Sequence, residues 1–307
     1  MKRRQTSRQP FHTPVFGITG CFGKDLVINL KLENYRKNKE FLICVDSDGC
    51  AMDTMDIKHI RCFGPCLVEE WGLSQWSDAI LARWNEINLY TMTRGINRFK
   101  GLVLMLREVH DKYTAVEDIH VLENWVNSSD ELSEKALKKA IEEKDSICLK
   151  KALAWSVKVN ECISRLKDEE KKPFEGVKEG LAFAHQYADI AIVSSANYQA
   201  VEDEWALYGL LEHVDIVLAQ DTGSKAYCIS ELLKKGYSRD RVLMTGDAPG
   251  DYEAAKTNGV FYYPILVRRE KESWAEFREK AVEKLLDKTY AGPYQAEKIR
   301  AFQNNLK

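Results

Sequence analysis

Five short segments of the chain are rich in apolar and β-branched residues: FLICVD (41–46), DIAIVS (189–194), VDIVLA (214–219), VLMTGD (242–247) and VFYYPILV (260–267). The first four are continuous apolar runs rather than alternations, the pattern of strands buried on both faces in a parallel sheet. Helical periodicity separates the last four, around Tyr198–Tyr208, Ser224–Lys235 and Gly250–Thr257. Strand and helix in alternation predict right-handed crossovers and an open α/β sheet flanked by helices.

The stretch between the first two strands has a different period. Residues of about 74–91, 99–113, 117–127, 130–143 and 145–169 read as amphipathic helices, with Leu102, Leu106 and Val109 at helical spacing. Roughly 110 residues of helix are too many for a crossover between neighbouring strands and predict a separate domain. The expected division is a basic tail, mobile, over 1–12, an α/β core domain over 13–58 and 173–307, and an all-helical domain over 59–172. MDTMDIKH (52–59) and KDEEKKPFEG (167–176) are the expected hinges. A helix before the sheet, within 13–40, and one over 273–287 complete the expected elements.

Composition narrows the function classes. A net charge of −2 over 307 residues argues against a nucleic-acid partner. No apolar run approaches the length of a membrane span. The N-terminal MKRRQTSRQPFH lacks the apolar stretch of a secretory signal. The eight cysteines therefore read as reduced thiols of a cytoplasmic protein. Cys62 and Cys66, in CFGPC, have the wrong spacing for a zinc knuckle. No feature of the sequence specifies an oligomeric state.

In an open parallel sheet, functional residues gather beyond the carboxyl ends of the strands. There the first strand offers Asp46 and Asp48, the second Ser194 in SSAN, the third Lys225 in AQDTGSKAY, and the fourth Asp247 and Asp251 in GDAPGDYEAA. Each has a plainer reading alone: a DxD turn, a strand-end serine, a surface lysine, a Gly/Pro turn into a helix. Together, in order on successive strands, they predict one crevice with four carboxylates, a hydroxyl and an ammonium. Such a set suits Mg²⁺, because clustered carboxylates repel each other without a hard cation. It also suits phosphoryl transfer to a carboxylate nucleophile, with a second carboxyl for proton transfer.

These motifs resemble those of the haloacid dehalogenase superfamily of hydrolases. VDSDGCAMDT is similar to that family's first motif, DxDGTxxDS after apolar residues. AIVSSAN resembles the second, Lys225 the third, and TGDAPGDYEAAKTNGV the fourth, GDxxxDxxAAxxAG. The helical insertion stands where the family's helical cap is inserted, as in its phosphoglycolate phosphatase and β-phosphoglucomutase-like branch. The resemblance implies Asp46 as nucleophile and Asp48 as general acid and base. It implies Mg²⁺ held by the side chains of Asp46 and Asp247 and the carbonyl of Asp48, with Asp251 binding directly or through water. Ser194 and Lys225 are implied to hold the phosphate, with backbone amides near Ser47 and Ser195 as further donors. Cys50 stands where the family usually has threonine, so a hydroxyl bond is expected to be lost. Asp48 favours phosphate esters over the family's dehalogenation and phosphonate chemistries, whose members lack that second aspartate.

Substrate choice is expected in the insertion. In TMTRGINRFKGL (91–102), Gly95 and Arg98 have the G-x-x-R spacing of a specificity loop in some sugar-phosphate members. Arg94 or Arg98 could then reach an anionic or polyhydroxyl group; a solvated turn is the plainer reading. Trp71, Trp76 and Trp84 suit either a pocket or a core, and the histidines show no ligand spacing. The expected function is a Mg²⁺-dependent phosphatase acting on a small phosphorylated metabolite. A phosphosugar mutase and a non-catalytic phosphometabolite-binding protein are the alternatives.

Overall fold

The computed structural model describes residues 31–306. The expected basic tail, and the expected first helix as far as residue 30, lie outside the described residues; residues 31–34 are helical. Strand β1 (Phe41–Val45) leads into the insertion, whose helices are α1 (Met55–Lys58), α2 (Gly64–Glu70), α3 (Ser77–Asn85), α4 (Arg98–Lys112), α5 (Ile119–Ser128), α6 (Glu134–Glu143) and α7 (Ile147–Ser164). The chain returns through α8 (Val177–Ala184) to β2 (Ala188–Val193), α9 (Tyr198–Leu207), β3 (Ile216–Leu218), α10 (Lys225–Leu233), β4 (Val242–Gly246), α11 (Pro249–Asn258) and β5 (Phe261–Pro264). It closes with α12 (Glu270–Glu276), α13 (Val282–Leu286) and α14 (Pro293–Asn305).

All strand pairs are parallel and the order is β3-β2-β1-β4-β5. The chain moves outward from β1 through β2 to β3, then crosses back to place β4 on the other side of β1. The order therefore reverses beside β1, which opens a crevice at its carboxyl end. Residues alternate across the strands. Ile43 and Val45 pack with Leu181, Trp205, Trp274 and Phe277 on one face, while Leu42 and Cys44 pack with Ile229, Leu232 and Phe302 on the other. Burial on both faces is why the strands read as continuous apolar runs.

The insertion has an apolar core of its own, built wholly from residues between Phe63 and Ile163. At its centre Trp84 and Trp155 meet edge to face at 5.9 Å, and Phe63 and Phe99 pack against Trp155. Trp84 is fully buried, and Trp71 and Trp76 pack half-buried against the same cluster, so the three tryptophans belong to this core. The two connections of the insertion run side by side. The Asp53 amide donates to the Lys172 carbonyl at 2.7 Å, and the Phe174 amide to the Ala51 carbonyl at 3.0 Å.

Three features depart from the sequence expectation. Residues 55–70 are helical, through a π-helical turn at His59–Phe63, although 52–59 reads as a hinge. Pro65 lies inside this helical run, directly after the π-helical turn. The third and fifth strands are shorter than their apolar runs, because β3 and β5 are the sheet's edges and pair on one side only. The C-terminal α14 begins at Pro293, directly after Gly292, and shows a weak apolar stripe, carried by Phe302, which the sequence reading passed over.

Candidate active site

Asp46 is the first residue beyond β1, and its amide donates to the Thr245 carbonyl at 3.0 Å, continuing the β1–β4 ladder. The chain then turns tightly, with the amides of Ala51 and Met52 both donating to the Ser47 carbonyl. Gly49 makes the turn possible. Its φ is +81°, and a Cβ there would lie 2.5 Å from both Asp247 Oδ2 and Arg94 Nη2. Asp247 directly follows β4. Asp251 stands in the first turn of α11, where its Oδ2 accepts from the Ala248 amide at 3.0 Å. Lys225 opens α10, whose N-terminus is capped by the Ser224 hydroxyl.

These residues converge. Carboxylate oxygens of Asp46, Asp247 and Asp251 all lie within 4.8 Å of one another. Lys225 Nζ bridges Asp46 Oδ2 at 2.9 Å and Asp251 Oδ1 at 2.6 Å. Burial pushes the Asp46 carboxyl up to about 7, against the pull of Lys225. It pushes Asp247 up to about 6, against the pull of Arg94, and it raises Asp251 as well. Lys225 is raised instead, since Asp251 and Asp46 outweigh its burial. Asp247 Oδ1 is buried without a hydrogen-bond partner. A buried, unpartnered carboxylate oxygen beside two more carboxylates, with no nitrogen or sulfur ligand in the group, fits a hard divalent cation.

Asp48 faces a different set. Lys58 Nζ donates to both of its oxygens, at 2.7 and 2.9 Å, and the Thr54 hydroxyl donates to Oδ1 at 2.5 Å. Lys58 also pairs with Glu204 of α9 at 3.7 Å. Burial works to raise the Asp48 carboxyl, but the charge and hydrogen bonds of Lys58 outweigh it and hold the group below its ordinary value. Next to it, the Trp205 indole donates to Ser47 Oγ at 2.9 Å and fixes the loop from below.

A cleft of about 1220 Å³ lies between the sheet's carboxyl end and the insertion. Asp46, Asp48, Ser194, Ser195 and Lys225 line it from the sheet side and Arg98 from the insertion. Ser194 is buried and its hydroxyl accepts from the Ala196 amide, whereas Ser195 is exposed. Arg98 begins α4 rather than lying in the loop. It donates to Ser156 Oγ at 3.0 Å and Asn160 Oδ1 at 2.8 Å, and covers the Phe63 ring. Arg94 does not line the cleft: it is buried against Asp247. Cys50 keeps a weak substitute for the expected lost bond, its thiol donating to the Thr245 carbonyl at 3.6 Å.

The sequence reading missed Thr54, Lys58 and Glu204. One signal was present: Thr54 and Lys58 are four residues apart at the start of a helix directly after the DxD, and so share a face. Reading that stretch as a hinge hid it. His59 lines the cleft too, with Nδ1 accepting from the Trp84 indole, and burial with the nearby Arg94 charge takes it down to about 3.

Several solved structures align with this chain at low identity. A candidate phosphoglycolate phosphatase from Lactobacillus delbrueckii subsp. bulgaricus is 15% identical with a TM-score of 0.49, over 81% of this chain and 99% of that one. A candidate β-phosphoglucomutase from Thermotoga maritima is 16% identical with a TM-score of 0.46, over 79% and 99%. A haloacid dehalogenase-like family hydrolase from Streptococcus pneumoniae is 12% identical with a TM-score of 0.45, over 80% and 97%. No curated protein matches the sequence significantly. The sequence profile of the family described as "Haloacid dehalogenase-like hydrolase" matches residues 96–264, just over half of the chain, a span that holds Ser194, Lys225, Asp247 and Asp251 and begins after Asp46 and Asp48. On that match, the chain belongs to the haloacid dehalogenase-like hydrolase family.

Proposed function

We propose that the protein is a Mg²⁺-dependent phosphatase that hydrolyses a small phosphorylated metabolite through an aspartyl-phosphate on Asp46. The observation that carries this reading is the meeting of three buried carboxylates with Lys225 at the end of β1. Asp46, Asp247 and Asp251, with the Asp48 carbonyl, would hold Mg²⁺, which when bound offsets the charge that gathers on a transferring phosphoryl group. Ser194, the amide of Ser195, and Lys225 hold the non-reacting phosphate oxygens. An Asp46 oxygen attacks phosphorus, the bond to the leaving oxygen breaks, and Asp48 supplies that oxygen's proton. Asp48 then takes a proton from water, which attacks the phosphorus of the aspartyl-phosphate. Inorganic phosphate leaves and the Asp46 carboxylate is restored.

Residues 59–172 act as a cap over this centre, excluding bulk water during transfer. Arg98 is the substrate-recognition residue of the cap. Burial lowers its pKa, and no carboxylate forms an ion pair with it among the described residues, so it is available to an anionic group. That availability also favours a phosphosugar mutase as a second reading, because a mutase must hold a second anionic group while the phosphoryl group returns to the substrate. The free, mostly buried thiols are compatible with a cytoplasmic site of action.

The test is hydrolysis of p-nitrophenyl phosphate with Mg²⁺, followed by a phosphate-release screen over sugar phosphates, nucleotides and phosphoglycolate. The expected result is phosphate release by wild type and a loss of about a thousandfold or more in Asp46→Asn. Equal rates would remove Asp46 as nucleophile. Rearranged product without phosphate release would mark the mutase, and binding without turnover across the screen would mark a binding protein.

A further inference from the structure

Arg94 belongs to the loop 91–97 that joins the π-helical turn Glu86–Tyr90 to α4, so it is part of the insertion. Its side chain leaves the insertion and ends at the carboxylate cluster of the sheet. Nε donates to Asp247 Oδ2 at 2.6 Å, Nη1 donates to the Leu89 carbonyl at 2.7 Å, and Asp56 lies 3.9 Å from Nη1. The residue is only 2% exposed. The loop that delivers it is held in place. The hydroxyls of Thr91 and Thr93 both donate to the Ile87 carbonyl, and Gly95, with a φ of +67°, lies so close to Ala248 that a Cβ would be 2.8 Å from that side chain.

Arg94 engages only one oxygen of Asp247. The other, Oδ1, is the buried oxygen without a partner, in the residue whose carboxylate groups with those of Asp46 and Asp251. The guanidinium thus fixes the carboxylate by one atom and leaves the second for another ligand. A charged hydrogen bond of this kind restrains the carboxylate's rotation, and removing such a partner usually weakens metal binding about 10- to 100-fold.

Resting on the phosphatase reading, we propose that Arg94 is a positioning residue that couples the seating of the helical insertion to divalent-cation binding at Asp46, Asp247 and Asp251. With the loop 91–97 seated, Asp247 is preorganised to coordinate through Oδ1. With the loop lifted, Asp247 loses that restraint. Coupling between two equilibria is reciprocal, so a bound cation must also hold the loop down.

The test uses Mn²⁺ as probe, with titration calorimetry for affinity and amide hydrogen exchange for the loop. Arg94→Met is expected to bind Mn²⁺ about 10- to 100-fold more weakly than wild type, with Arg94→Lys in between. Mn²⁺ is expected to slow exchange over 91–97 in the wild type. Equal affinity in Arg94→Met, or exchange in the wild-type loop that ignores Mn²⁺, overturns the coupling; the second measurement needs no variant and stands even if Arg94→Met does not fold. Asp251→Asn separates this inference from the reading beneath it. If that variant binds Mn²⁺ as wild type does, the carboxylate cluster is not the cation site and both fall. If it loses Mn²⁺ while Arg94→Met keeps it, the coupling alone falls.

Discussion

Asp46 and Asp48 leave the same strand two residues apart, yet burial pushes Asp46 up to about 7 while Lys58 holds Asp48 below its ordinary value. The difference lies in how far each side of the loop supplies its own counter-charge and hydrogen bonds. On the Asp46 side, three buried carboxylates share Lys225 and Arg94, and one oxygen has no partner. On the Asp48 side, Asp48 accepts two bonds from Lys58 and one from Thr54, and Glu204 shares Lys58 at 3.7 Å. One side leaves an oxygen of Asp247 without a hydrogen-bond partner; on the other, Asp48 is bonded by Lys58 and Thr54. A buried carboxylate left short of partners is costly, and a bound cation would relieve that cost. A satisfied one at the cleft wall is kept ionised by Lys58, ready to accept a proton.

The largest expected effect divides the two sides. Asp48→Asn should lower phosphatase turnover by about 10²- to 10⁴-fold, the usual contribution of a positioned acid and base. The same variant should bind Mn²⁺ as wild type does, since its side chain lies outside the carboxylate group of Asp46, Asp247 and Asp251. Steady-state kinetics beside calorimetry checks both. A joint loss of turnover and Mn²⁺ affinity would mean that the sides are not separable.

A smaller effect sharpens the Asp48 side. Lys58→Met keeps the length of the side chain and removes its charge, which leaves Asp48 and Glu204 without their shared cation. The Asp48 carboxyl should then rise from its lowered value, so that a higher pH is needed to ionise it. The acidic limb of the turnover profile should move to higher pH, with the loss of turnover growing as pH falls and less of the base form remains. A limb that does not move would show that Lys58 does not control Asp48.

The Asp46 side was the legible one. Asp46 and Asp247 stand directly beyond β1 and β4, and strand ends are readable because continuous apolar runs stop there. Lys225 and Asp251 also fall at helix starts, marked by Ser224 and by Ala248–Pro249. The Asp48 side was hidden for a physical reason. Lys58 and Glu204 belong to helices 146 residues apart in sequence, α1 and α9, and nothing local marks either as a partner of the other. Arg94 was legible as a cation in an interhelical loop, but its direction depends on how the insertion packs on the sheet. Pattern alone could not say whether it turned to the cleft or to Asp247. The helix over 55–70 was obscured because its start, 52–59, read as a hinge into the insertion.

The smallest effect concerns stability and tests the Asp46 side without any substrate. Asp46 binds its proton more tightly folded, at about 7, than at its ordinary 3.8. A carboxyl raised in this way contributes stability that is fully present below the ordinary value and is lost as pH rises through the folded one. His59 acts in the opposite sense up to its ordinary 6.5, because its folded value is near 3. Comparing wild type with Asp46→Asn cancels His59, which both proteins share. In EDTA, the unfolding free energy of wild type relative to Asp46→Asn should therefore fall by about 1 kcal/mol between pH 6 and pH 8. Denaturant unfolding at the two pH values measures it. With Mg²⁺ the fall should vanish, because a cation replaces the proton as counter-charge to Asp46. A difference that is flat in EDTA would show that Lys225 alone neutralises Asp46, and the two sides of the loop would then be alike.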